Sequence, residues 1–108
     1  MGTQPVSGES ILTDQKSDQQ VEQPRLWQVL LHNDDYTTQE FVVWVLETVF
    51  SKPRPEAFAI MMSVHRSGLG VAGIYTRDVA ETKAQAAQRA AEEHEFPLLV
   101  TAEPAPEQ

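Results

Sequence analysis

The stretch LLHNDDYTTQEF, residues 30–41, places Asn33, Asp34 and Asp35 between a run of strand-forming residues and a run of helix-forming ones. One Asx side chain is enough to turn the backbone there, and a second acid at a helix N-terminus gains about 0.3–1 kcal/mol from the dipole. Asp35 has that structural reason, so Asp34 is the acid left over. His65, some thirty residues on, shares a helical face with Ala57, Met61 and Val64, where a histidine is ordinarily a core residue held by one hydrogen bond. Set beside the NDD loop, it does something more. Asn33, Asp34 and His65 together offer a carbonyl oxygen, a carboxylate and an imidazole lone pair, three acceptors for the three donors of a primary ammonium. With Val42, Met61 and Val64 next to them, they would rim an apolar pit. The Met61-Met62 pair is core filler, or the flexible wall of a pocket that accepts several side chains.

Catalysis has less to stand on. Asp34, Asp35 and His65 could serve as acid-base groups, but the chain has no nucleophile elbow, no H-E-x-x-H, no glycine-rich phosphate loop and no EF-hand spacing. No catalytic residue, metal ligand or cofactor is expected. His32 is incidental, and His94, in EEHE at the end of a helix, is placed where positive charge is mildly favoured.

The elements that must position these residues follow from patterning. LWQVLL after Pro24 reads as a strand. TTQEFVVWVLETVF begins as a capping box, with Thr37 as cap and Glu40 reaching back. Its apolar residues exceed a single stripe, so some must be covered by another element or offered to a ligand. SKPRP breaks the chain, Pro55 suits the first turn of a second helix, and Gly68 suits its left-handed cap. LGVAGIY is a second strand. TRDVAETKAQAAQRAAEEHE is a third helix, stopped by Pro97, whose Ala84, Ala87 and Ala91 allow close approach to a sheet. LLVTAE is the last strand. The order β-α-α-β-α-β predicts an α+β domain: a small, three-stranded, partly antiparallel sheet packed by three helices. Residues 1–24, rich in Gln, Ser, Asp and Glu, read as a mobile N-terminal extension; 25–103 form the folded domain and 104–108 a short Pro-interrupted tail.

The 108 residues suit one domain with its own core. With no cysteine, disulfides, thiol catalysis and Cys-bound zinc are excluded. A net charge of −8 with scattered basic residues argues against nucleic acid. No apolar run approaches the roughly 18–20 residues of a membrane span, and the opening residues lack the regions of a secretory signal. A cytoplasmic monomer is expected.

HNDDYTTQEFV, MMSVH, GIYTRDVAETKA and FPLLVTAE, in this order and spacing, resemble the ClpS family of adaptor proteins, which serve the bacterial N-degron pathway. The resemblance covers about residues 25–103. It implies a protein that binds the free N-terminal Phe, Tyr, Trp or Leu of a client and hands the client to the ClpA unfoldase of the ClpAP protease. Asn33, Asp34 and His65 match the positions that hold the client's α-amino group; Leu31, Thr37, Val42, Met61, Val64 and Leu98 match those lining the side-chain pocket. Asp78 and Lys83 match contacts to the ClpA N-terminal domain, and residues 1–24 match the extension needed for delivery. Because a buried ammonium is costly unless paired, Asp34 is assigned to the amine and Asp35 to the loop. Many family members read NDDYTPMEF; here Thr38 replaces the Pro and Gln39 the Met at the pocket mouth, a change that suits the less typical of two paralogues. The same element order also resembles the C-terminal domain of the ribosomal stalk protein. A structural module of that kind would have no need for Asn33, Asp34 and His65 to converge.

Overall fold

The β-formers after Pro24 extend the chain into β1 (Trp27–His32), and the apolar-rich run beyond the NDDYT loop coils into α1 (Gln39–Thr48). The computed structural model describes residues 24–107; apart from Pro24, the expected N-terminal extension lies outside them. Next come α2 (Arg54–Ser67), β2 (Leu69–Tyr75), α3 (Arg77–Glu93) and β3 (Leu99–Pro104). The order is β-α-α-β-α-β, as the patterning predicts.

β1 is the central strand of a sheet ordered β2-β1-β3, and both of its pairings are antiparallel. The sheet is therefore antiparallel throughout, where the sequence suggested only part of it, because both edge strands run against the same central one. Alternation sends Val29 and Leu31 fully buried into the helix-covered core, while Leu30 turns to the opposite face. Val42, Val45 and Leu46 of α1, Ala57, Met61 and Val64 of α2, and Ala80, Ala84, Ala87 and Ala91 of α3 complete that core. The alanine stripe of α3 thus does what its spacing predicts.

Three helix ends are set by specific backbone and side-chain bonds. α1 is capped by Thr38, whose hydroxyl accepts from the Phe41 N–H at 3.1 Å. This corrects the expected Thr37 cap: Thr37 is engaged elsewhere, so the next hydroxyl takes the role. Gly68 ends α2 with φ of 92°, a conformation open to glycine without strain. α3 stops at Glu93, ahead of the expected boundary at Pro97, in a double bond pattern. The Phe96 N–H donates to the Ala91 carbonyl and the Glu95 N–H to that of Glu92, with Glu95 left-handed at φ 63°.

The C-terminal boundary also moves. The tail expected from residue 104 is tied down, since Pro104 lies in β3 opposite Trp27 and Ala105 is buried. Ala105 donates to the Leu26 carbonyl, and its own carbonyl accepts two bonds from Arg25. Proline at the end of an edge strand loses no ladder bond, which is why it did not end the pairing. Among the described residues no helix is long and apolar enough to cross a membrane.

Candidate functional site

Asp34 builds the loop between β1 and α1. Its Oδ1 accepts from the backbone N–H of Tyr36 at 2.8 Å and of Thr37 at 2.7 Å, and its Oδ2 accepts from the Thr37 hydroxyl at 2.7 Å. This corrects the loop role expected of Asp35: Asp34 makes the Asx turn, while Asp35 is exposed. A carboxylate has about four acceptor positions, so three internal bonds leave one free on Oδ2. Partial burial raises the pKa of Asp34, but the bonds from the Thr37 hydroxyl and from the Thr37 and Tyr36 amides outweigh it and hold the carboxyl below its ordinary 3.8. At neutral pH the group is charged, rigid and one acceptor short of saturation.

Asn33 fastens this loop to the end of α2, its N–H donating to the Gly68 carbonyl at 2.9 Å. The same glycine donates to the Val64 carbonyl. One residue therefore caps α2 and receives the loop, which brings His65 of the last helical turn beside Asn33 and Asp34. His65 is exposed and not the core histidine its apolar face suggested; among the described residues no hydrogen bond occupies its ring nitrogens. β2 presses closely on α2 at Gly70, where an added Cβ would lie 2.9 Å from Val64 Cγ2 and 3.1 Å from the Ile60 carbonyl oxygen. Glycine there lets the wall carrying Val64 sit against the sheet.

The result is a hollow of about 280 Å³ between the loop, the start of α1 and the end of α2. Asn33, Asp34, Asp35, Thr37, Gln39 and His65 line its polar side; Val42, Met61 and Val64 line its apolar side. Such a volume is at the lower end for small-molecule pockets, suited to one side chain with a polar head. Paired hydrogen-bond acceptors next to an apolar pit can hold an amphiphilic cation. Asp35 is the lining residue that sequence reasoning left to the turn; its place in the same loop was the only available signal.

Not every predicted residue meets there. Leu31 and Leu98, 0 % and 1 % exposed, belong to the same buried cluster as Val42, Met61 and Val64 without lining the hollow. Asp78 and Lys83 line a separate shallow depression with Val79 and Thr82 at the start of α3. The Lys83 amine is directed inward, donating to the Val49 carbonyl at 2.9 Å and lying 5.6 Å from the centre of the Tyr75 ring. Among the described residues no group of three His, Asp or Glu side chains could hold a metal ion.

The chain is similar to known proteins in both sequence and fold. Residues 22–101 match the family described as ATP-dependent Clp protease adaptor protein ClpS. An adapter protein of that name from Myxococcus xanthus is 52 % identical over 95 residues, covering 88 % of this chain and 89 % of its own. One from Desulfatibacillum aliphaticivorans is 56 % identical over 86 residues, covering 80 % and 83 %. Among solved structures, Agrobacterium tumefaciens ClpS2 bound to L-phenylalaninamide superposes with a TM-score of 0.74 at 44 % identity, over 77 % of this chain and 100 % of that one.

Proposed function

The chain belongs to the ClpS family of ATP-dependent Clp protease adaptor proteins, and from that premise we propose that it binds the free N-terminal Phe, Tyr, Trp or Leu of client proteins and delivers them, in the cytoplasm, to a ClpA-type unfoldase. The observation that carries this reading is the hollow in which Asn33, Asp34 and His65 rim an apolar wall of Val42, Met61 and Val64. The client's α-ammonium donates to the free position on Asp34 Oδ2, to the Asn33 side-chain carbonyl and to a ring nitrogen of His65. Its side chain enters between α1 and α2. Burying an aromatic or leucine side chain contributes roughly 1.5–3 kcal/mol, and each hydrogen bond to a charged group about as much. The side chain alone falls short of the association cost of at least about 4 kcal/mol, so the bonds to the amine are required as well. That double demand selects an amine and a bulky side chain on the same carbon, which is an N-terminal residue. The relative solved with L-phenylalaninamide carries a ligand of that chemistry.

No bond is made or broken in this task. Asp78 and Lys83 serve as the contact to the unfoldase, and residues 1–24 as the extension used in delivery. Degradation of a reporter protein with N-terminal Phe by ClpAP, with and without this protein, tests the whole reading. Faster turnover that disappears when the reporter begins with Ala is expected; equal turnover of both reporters in its presence would overturn it.

A further inference from the structure

The hollow around Asn33, Asp34 and His65 does not end at Gln39. A second depression of about 610 Å³ opens on the other side of that residue, and Gln39 and Met61 line both. Trp44 of α1 and Phe58 of α2 line the wider one, 42 % and 55 % exposed. A single exposed hydrophobe needs no explanation, but two large ones lining one depression next to a binding site mark a contact surface. Trp44 is also held in place: its ring lies 5.6 Å from that of Phe41 and 5.3 Å from that of His94, centre to centre. A surface already ordered loses little entropy on binding. Its charged lining is Glu40, Glu47 and Arg54, and Arg54 is paired with Glu47 at 3.6 Å, so Glu40 carries the net charge.

Distance decides which part of a client could reach it. From Gln39 to Trp44 the helix rises about 7.5 Å, at 1.5 Å per residue, and an extended peptide advances about 3.3–3.6 Å per residue. Two residues of extended chain therefore span about the length of α1 from Gln39, at the hollow, to Trp44.

We propose that this depression is a second subsite for the same client, taking a large apolar side chain at the third position from the N-terminus and disfavouring an acidic one there. It rests on the amine-recognition reading, because only an anchored first residue puts the third in reach. The net negative charge of the lining, carried by Glu40, disfavours a carboxylate, and Trp44 on α1 and Phe58 on α2 offer apolar surface to a side chain.

The test uses the full chain and three peptides that begin Phe-Ala-Ala, Phe-Ala-Leu and Phe-Ala-Glu and are otherwise identical, with anisotropy as the readout. Partial burial of the leucine should tighten binding by about fivefold over alanine, and glutamate should bind more weakly than alanine. In the double variant Trp44→Ala/Phe58→Ala the preference for leucine over alanine should vanish while the Phe-Ala-Ala peptide binds as before. A ratio taken within one variant is insensitive to the amount of folded protein. If Phe-Ala-Ala binds but wild type shows no preference at the third position, the subsite is refuted and amine recognition stands. A preference that survives in the double variant also refutes it. Should none of the three peptides bind, both readings fall.

Discussion

Replacing Asp34 by Asn or by Ala separates the two tasks this residue performs. Asn keeps an oxygen in the place of Oδ1 for the Tyr36 and Thr37 amides, and its NH₂ can donate to the Thr37 hydroxyl. The turn then loses only its charge assistance. Neutral hydrogen bonds are about half as strong as charge-assisted ones, so the cost is about 0.5–1 kcal/mol of stability, or a few degrees at roughly 4–8 °C per kcal/mol for a domain of this size. The amine, however, loses the carboxylate assigned to pair with it. A hydrogen bond to a charged group is worth about 1.5–3 kcal/mol, and 1.4 kcal/mol is tenfold, so affinity for a peptide with N-terminal Phe should fall about ten- to a hundredfold. Ala removes all three loop bonds as well, comparable to losing a helix cap at about 0.5–2 kcal/mol, so that variant should lose both affinity and stability. Anisotropy with a labelled peptide and thermal unfolding on the same samples check both. An Asn variant with wild-type affinity would show that the charge is not spent on the amine, and an Ala variant unfolding at the wild-type temperature would show that the loop does not rest on Asp34.

Since Gln39 stands between the two depressions, Gln39→Met should raise affinity for N-terminal Leu or Phe and leave binding to the ClpA N-terminal domain unchanged, measured by titration of each partner; no change for any ligand would mean the residue is indifferent. Glu95→Gly should raise unfolding free energy by about 0.5–1 kcal/mol, because glycine relieves the left-handed backbone at φ 63°, and a loss in chemical denaturation would count against it. For pH, the Asp34 carboxyl is held below 3.8 in the fold, so its contribution is fully present above that value and is lost as pH falls through the lower folded one. Urea midpoints of wild type and Asp34→Asn should therefore converge as pH drops below 3.8; a gap that stays constant would contradict the sign.

The element order, the Gly68 cap, the alanine stripe of α3 and the meeting of Asn33, Asp34 and His65 were all legible in the sequence. The first three rest on local periodicity or on a residue with one conformational use; the meeting of Asn33, Asp34 and His65, a long-range contact, rested on the resemblance to the family. The assignments that moved depended on choices between near-equals. Thr37 and Thr38 are both competent caps, and Asp34 and Asp35 both competent turn formers, so three-dimensional closure of the loop, with Thr37 bonded to Asp34, decided between them. Similarly, nothing in AEPAPEQ announces that Ala105 will be buried; Arg25, eighty residues earlier, makes that contact. His65 looked like a core residue because its helical neighbours are apolar, but the face it shares opens onto the hollow.

The most direct test of amine recognition is calorimetric titration of one peptide with N-terminal Phe in two forms, free and N-acetylated. Acetylation removes the charge and two of the three donors while leaving the side chain untouched. The free peptide should bind, its affinity falling above about pH 8 as the free α-amine loses its proton, and the acetylated one should give no measurable heat. Equal affinity for the two forms would contradict the account, because Asn33, Asp34 and His65 would then have nothing to recognise.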